Sequence, residues 1–232
     1  MKRFDSISQV FNLLNDCGAN YLVLRNYENM LNPELFVGNH ADIDLLCEDS
    51  QEIVKILDAQ TTRKDVGELR GDGVHYFLMI AGNRVSFDLR QVGDGYYCDD
   101  WETDLLRKRR RQDCFYVMDD ENYFYTLVYH AILQKRQLSD DYRTKLIEMA
   151  AANRIPMKRS DEEGFIFVLQ EFMKSKNYRF VYSKDKMVPN RFHLVDSTLV
   201  DTNYSRWLKH RLFETKVAII EGLVKVKHAL SL

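Results

Sequence analysis

Two short segments decide the fold of this chain: Asp42-Ile43-Asp44-Leu45-Leu46 and, further along, Val85-Ser86-Phe87-Asp88-Leu89-Arg90. Successive side chains of a β-strand point to opposite faces, so Asp42 and Asp44 share one face while the apolar residues beside them point into a core. The second segment alternates in the same way and has Asp88 on its polar face. Each segment therefore predicts a strand with one apolar face and one acidic face.

The three carboxylates of these strands suggest a site for divalent cations. If the two strands are neighbours, Asp42, Asp44 and Asp88 converge on one surface, where their mutual repulsion is costly unless cations lie between them. Such a surface is typical of metal-assisted phosphoryl or nucleotidyl transfer. The alternative is that all three are solvated polar residues on an amphipathic sheet.

Length and composition are those of an ordinary globular protein. The chain has 232 residues, 45% of them hydrophobic, and a formal charge of -2, which gives no overall attraction to nucleic acid or anionic membranes. Its four cysteines have no CxxC spacing, so we expect reduced thiols in the cytoplasm. The N-terminus leads into an amphipathic pattern and no run reaches about 18 apolar residues, so neither export nor a membrane span is expected.

The first half of the chain alternates between helical and strand patterns. A loop with Pro33 and Gly38 precedes the Asp42 strand and is expected to be functional. The predicted elements are a helix capped by Ser6 and ended by Gly18, a strand over 21–24, the Asp42 strand, a helix from Asp49 or Ser50 to about Leu57, and a hairpin of 74–80 with 84–90.

The second half is mainly helical, and its 178–203 region has no clear pattern. The predicted elements are a helix from Asp99, a strand over 114–118, helices that begin near Asp119 or Asp120, at Ser139 and at Ser160, where Glu163 would complete a capping box, and an amphipathic helix from about Ser205. We therefore predict an α+β fold: a small mixed sheet flanked by helices in residues 1–118, followed by a mainly helical region in residues 119–232.

The order of these elements resembles the nucleotidyltransferase superfamily related to DNA polymerase β. Asp42-Ile43-Asp44-Leu45-Leu46 is similar to its hDhDhh element, and Phe87-Asp88-Leu89 is similar to the strand with its third carboxylate. The resemblance covers roughly residues 5 to 92. It implies a short sheet that holds the three carboxylates, followed by a helical region.

One position departs from the superfamily pattern. Where its enzymes usually have a Gly-Ser pair that holds the nucleotide phosphates, this chain has Leu24-Arg25-Asn26-Tyr27. Phosphate contact could pass to the Arg25 guanidinium and the Asn26 amide, with Arg90 as a further candidate, or nucleotide binding could be lost. With Glu28 added, this segment also resembles bacterial nucleotidyltransferases of surface polysaccharide synthesis.

The resemblance implies transfer of a nucleoside monophosphate from a nucleoside triphosphate to a hydroxyl of a small molecule or glycan precursor. Asp42 and Asp44 would ligate Mg²⁺ or Mn²⁺, and Asp88 would complete the site and help to remove the proton of the acceptor hydroxyl. Two alternatives stay open. One is a catalytically inactive binding or regulatory module, and the other is a toxin-like enzyme that modifies RNA or protein.

Four further features have a functional and a structural interpretation, and for each the structural one is favoured. His75 and His130 could reach a substrate or be satisfied within the fold. The basic run 107–111 could bind nucleic acid, which is a less expected partner, or form a solvated helix end. The C-terminal helix, with Trp207 and Leu212 among basic residues, could make peripheral contact with a membrane or pack on its own domain.

Overall fold

The computed structural model describes residues 2–32, 42–61, 74–185, 188–201 and 203–230, and it has the predicted α+β fold. The predicted loop with Pro33 and Gly38 lies mostly outside these residues. The strands are β1 Arg3–Phe4, β2 Tyr21–Val23, β3 Asp42–Cys47, β4 Gln60–Thr61, β5 His75–Ile80, β6 Asn83–Gln91, β7 Arg110–Gln112, β8 Phe115–Val117, β9 Phe180–Val181 and β10 Val200–Asp201. The α-helices are α1 Ile7–Asp16, α2 Ser50–Leu57, α3 Asp99–Arg107, α4 Asp120–Val128, α5 Asp140–Ala152, α6 Glu162–Lys176 and α7 Tyr204–Leu230.

The main sheet is mixed. Its strand order is β1-β5-β6-β3-β2-β8-β7, and β4 pairs with β5. The central pair, β3 and β6, is parallel, whereas β5 and β2 run antiparallel to their neighbours β6 and β3. The two strands that the sequence marks as acidic are thus direct neighbours at the centre of the sheet.

Helix α1 covers the face of the sheet opposite Asp42 and Asp44. It begins after Ser6, whose Oγ accepts a hydrogen bond from Gln9 N at 3.3 Å, as predicted. The Phe11 ring of this helix stacks on Tyr21, with ring centroids 5.7 Å apart. Tyr21 lies opposite Cys47 in the β2–β3 pair, so α1 covers the side of β3 away from its aspartates.

The predicted hairpin is confirmed and explained by its turn. Ala81 and Gly82 have φ angles of 49° and 81°, and Ile80 pairs with Asn83 across them. Two central residues with positive φ are typical of a type I′ turn, which matches the twist of the flanking strands. The hairpin brings β5 alongside β6.

One predicted helix start is wrong. Asp161, one residue after Ser160, caps α6, because its Oδ1 accepts a hydrogen bond from Gly164 N at 3.0 Å. Glu163 does not complete a capping box and instead pairs with the Arg159 guanidinium. A carboxylate satisfies a helix N-terminus more strongly than a hydroxyl does because it also interacts favourably with the helix dipole.

The helical half packs around aromatic side chains. The indole of Trp101 in α3 is fully buried and stacks on Tyr178, with centroids 5.5 Å apart. Helix α4 continues into a π-helical turn, Tyr129–Leu133, that is also buried. The division of the chain near residue 118 stays a prediction. Within the part of the chain that the structure describes, no helix is long and apolar enough to cross a membrane.

Gly95→Ala should destabilise the fold more than Gly82→Ala. Both glycines have positive φ, which costs a β-carbon about 1–2 kcal/mol. At Gly82 nothing lies within 4 Å of the added carbon, whereas at Gly95 it would lie 2.7 Å from Tyr182 O and 2.5 Å from Arg206 Nη1. Urea unfolding should show a further loss of about 1–3 kcal/mol for Gly95→Ala. Equal losses would contradict this packing.

Candidate active site

Asp44 and Asp88 lie side by side on the central parallel strands. In the register of β3 and β6, Asp44 pairs with Asp88 and Asp42 with Ser86. Paired residues of neighbouring strands point to the same face, so the three predicted carboxylates share one side of the sheet. The antiparallel strand β5 places His75 opposite Asp88.

The carboxylates are close enough to perturb one another. Burial, followed by the negative charge of Asp44, raises the pKa of Asp88 to about 7. Asp42 raises this pKa further, while Arg90 and Arg25 lower it. A carboxyl with this pKa binds and releases a proton near neutral pH, which is what a general base requires.

The Arg25 guanidinium forms an ion pair with the Asp44 carboxylate. Its Nη2 donates to Asp44 Oδ1 at 2.6 Å, and the two side chains are only 9% and 10% exposed. Within the described residues, Nη1 of Arg25 is buried without a hydrogen-bond partner. Arg25, the predicted phosphate contact, therefore forms an ion pair within the protein in this structure, and its Nη1 group is left without an acceptor among the described residues.

The neighbouring Asn26 is exposed and is held by its backbone. Its φ angle of 56° is left-handed, and its N–H donates to Tyr123 Oη at 3.3 Å. Tyr123 Oη in turn donates to Glu28 Oε1 at 2.9 Å, and Lys145 Nζ bonds to both groups. The turn that follows β2 is thus fixed to helices α4 and α5, with the Asn26 side chain at the surface.

Arg90 is also paired within the protein. Its Nη1 lies 3.0 Å from Asp185 Oδ2, and both side chains are buried. Within the described residues, its Nε is buried without a hydrogen-bond partner. The structure thus surrounds Asp44 and Asp88 with two buried guanidinium groups, each held by a different aspartate.

Tyr96 connects these two arginines and was missed by sequence reasoning. The Cζ atoms of Arg90 and Arg25 lie 4.5 Å and 5.6 Å from the centroid of its ring. Its hydroxyl lies 3.0 Å from His130 Nδ1. The only sequence signal was the turn-forming Gly93-Asp94-Gly95 before it, and Asp185 had no signal at all.

The two histidines differ in their relation to this face. His75 Nε2 lies 3.8 Å from Asp88 Oδ2. His75, Asp88 and Asp44 are thus neighbours across β5, β6 and β3, and we call these three residues the acidic row. His130 is buried, and burial together with the charge of Arg25 lowers its pKa well below the ordinary value. A neutral, hydrogen-bonded His130 agrees with the structural interpretation that the sequence favours.

The donors of this face suit a hard cation, although their arrangement does not enclose one. Carboxylate oxygens are the ligands that Mg²⁺ prefers, and the pairing of Asp44 with Asp88 brings two of these groups together. Among the described residues, however, no group of three or more His, Cys, Asp or Glu side chains is arranged to hold a metal ion. Arg25 supplies the positive charge beside Asp44. The metal-ligand roles of Asp42, Asp44 and Asp88 stay a prediction.

The basic run 107–111 spans the end of α3 and the first two residues of β7, so only its first part is the predicted helix end. Arg107 and Lys108 pair with Asp104 at 2.6 Å and 3.2 Å. Arg109 donates to the Leu106 carbonyl, Arg110 pairs with Asp120, and Arg111 donates to the Asp113 carbonyl. Each cation of the run therefore has a partner within the chain, as the structural interpretation expects.

Comparison with known proteins adds little. No family model and no curated protein matches the sequence. Among solved structures, the chain is similar to an antigenic nucleotidyltransferase-like protein from Paracoccidioides brasiliensis, with 13% sequence identity over 74% of this chain and 87% of that chain and a TM-score of 0.39. Because identity and TM-score are this low, we infer function from the residues of the site.

Asp88→Asn should make stability less dependent on pH. The folded pKa of Asp88, about 7, lies above the ordinary 3.8, so the folded protein loses stability as pH rises between these values. Each pKa unit corresponds to about 1.4 kcal/mol. The free energy of unfolding of the wild type should therefore be lower than that of Asp88→Asn by up to about 4 kcal/mol at pH 8, and the two should be equal near pH 4. Urea unfolding across this range measures the difference. A constant difference would show that Asp88 is not buried among like charges.

Arg25→Met should be strongly destabilising, and Asp44→Asn should relieve the loss. Removing one partner of a buried ion pair leaves the other charge uncompensated, which costs about 3–5 kcal/mol. The double variant removes both charges, so a double-mutant cycle should give a large coupling energy. Arg143→Met is the matched control, because its pair with Asp140 is exposed and worth less than about 1 kcal/mol. Additive losses would mean that Arg25 and Asp44 do not interact.

Proposed function

We propose that this chain is a metal-dependent nucleotidyltransferase. It transfers a nucleoside monophosphate from a nucleoside triphosphate to a hydroxyl of a small molecule or glycan precursor. The observation that supports this best is the pairing of Asp44 with Asp88 on parallel neighbouring strands, with Asp42 on the same face. The glycan acceptor follows only from the resemblance of residues 24–28. We also propose a cytoplasmic location, in keeping with the reduced thiols that the sequence predicts.

In this proposal Asp42, Asp44 and Asp88 hold Mg²⁺ or Mn²⁺. The cation would lower the pKa of the acceptor hydroxyl and neutralise charge as pyrophosphate leaves. Asp88 would accept the hydroxyl proton, because it lies between Asp44 and His75 in the acidic row. His75, 3.8 Å from Asp88, is placed to receive that proton in turn.

Arg25 and Arg90 are the proposed phosphate contacts, with the Asn26 amide beside them. Each guanidinium has a buried N–H without a partner among the described residues, at Nη1 of Arg25 and at Nε of Arg90. A phosphate oxygen would satisfy such a donor by a charge-assisted hydrogen bond. Arg25 would turn from Asp44 to the nucleotide when a cation replaces it on that carboxylate.

A second candidate function is a catalytically inactive binding module. The ion pair between Arg25 and Asp44 favours it, because a guanidinium 2.6 Å from Oδ1 provides the charge that a cation would otherwise supply. A toxin-like enzyme that holds RNA through the basic run is favoured less, since those cations are paired within the chain.

Calorimetric titration with Mn²⁺, alone and with a non-hydrolysable nucleoside triphosphate, tests the proposal. The wild type should bind Mn²⁺, the double variant Asp42→Ala/Asp44→Ala should not, and Asp100→Asn, an exposed carboxylate of α3, should bind as the wild type does. Arg25→Met should keep the metal and lose nucleotide affinity, because the cation compensates Asp44 but not the phosphates. Absence of Mn²⁺ binding in the wild type would overturn the metal site.

Labelled nucleoside triphosphates added to a cell extract separate the candidates. The proposal predicts label on a small molecule, abolished by Asp88→Ala and unchanged by Asp100→Asn. Label on RNA or protein would assign a different acceptor. An absence of label together with nucleotide binding would favour the inactive module.

A further inference from the structure

Helix α7 presents an apolar stripe to solvent. Tyr204, Leu208, Leu212 and Ile219 are 69%, 39%, 63% and 58% exposed. Residues advance by about 100° around an α-helix, so these four positions fall within about 80° of one another. Other large exposed apolar side chains among the described residues, such as Ile147 and Phe167, stand on other helices. The stripe is therefore a surface of one helix, interrupted by the exposed Thr215 between Leu212 and Ile219.

Side chains on the opposite side of α7 form hydrogen bonds with the rest of the protein. Arg206 donates from Nη1 to Tyr182 O and from Nη2 to Gly93 O, both at 3.3 Å. The buried His210 has Nε2 2.7 Å from Ser183 O. These polar contacts set the rotation of the helix and direct the stripe outward.

Basic residues border the stripe on both sides. At about 100° per residue, Lys209 and Lys216 lie along one edge of the stripe and Arg211 along the other. All three are exposed, and Glu214 lies 3.5 Å from Arg211. An apolar stripe flanked by exposed cations is the arrangement by which a helix lies in the interface of an anionic bilayer.

We propose that this face of α7 binds the surface of an anionic lipid membrane. The apolar side chains would enter the region between headgroups and acyl chains, and the flanking cations would contact the headgroups. A second copy of the chain fits less well. An isologous dimer through the stripe would bring Lys209 and Lys216 of both copies to one interface, where the acidic residue described beside the stripe, Glu214, already pairs with Arg211.

Vesicle flotation with the full chain tests this proposal. Vesicles of phosphatidylcholine with 30% phosphatidylglycerol (roughly the anionic content of a strongly charged membrane surface) should bind the protein at least tenfold more tightly than phosphatidylcholine alone. Leu212→Glu and the pair Lys209→Glu/Lys216→Glu should each reduce that binding at least tenfold. Ile147→Glu, which changes a comparably exposed side chain of α5, should leave it unchanged. Circular dichroism checks that each variant is folded.

Three outcomes would overturn the proposal. The first is that the anionic vesicles do not bind the wild type. The second is equal binding to both vesicle types, which would show that the flanking cations play no part. The third is a dimer in sedimentation equilibrium that Leu212→Glu dissociates, which would identify the stripe as an interface between copies of the chain.

Discussion

The register between β3 and β6 is the constraint on which the site depends. Because the two strands are parallel and Asp44 pairs with Asp88, two carboxylates are forced together on a largely buried sheet face. A shift of one residue would send either aspartate into the apolar core that α1 covers. The fold keeps this arrangement by bringing in guanidinium groups, with Arg25 on Asp44 and Arg90 nearby. The acidic row and its two arginines are thus one electrostatic unit.

The loop after β6 is built to support this unit. Asp94 accepts hydrogen bonds from the N–H groups of Gln91 and Tyr96, and the fully buried Glu102 accepts from Gly93 and Tyr97. Burial raises the pKa of Glu102, but four backbone donors within this short loop still require acceptors. These four hydrogen bonds fix the backbone on both sides of Tyr96 and thereby hold its ring against both guanidinium groups. A backbone loop and two acidic side chains thereby position a ring that has no polar contact with the carboxylates themselves.

Local features of the fold could be predicted from the sequence, whereas the ion-pair partners of Arg25 and Arg90 could not. Alternation of apolar and polar residues predicted β3 and β6, and the pattern over 74–90 predicted the hairpin that brings β5 beside β6. The acidic face followed from the same period-two pattern. The ion-pair partners of the arginines did not follow from any pattern. Arg90 and Asp185, for example, are far apart in the chain and no periodicity links them. The helix start at Asp161 was missed by one residue because Ser160 and Asp161 are both good caps, and only the geometry of Gly164 N decides between them.

A divalent cation on the acidic face, in place of Arg25 on Asp44, is what the proposed function requires. Its most direct measurement is anomalous diffraction from crystals grown with Mn²⁺ and a non-hydrolysable nucleoside triphosphate. We expect an anomalous peak between Asp44 and Asp88, with Asp42 beside it and the Arg25 guanidinium moved to a phosphate. A map without a peak there, with Arg25 still bonded to Asp44, would contradict it.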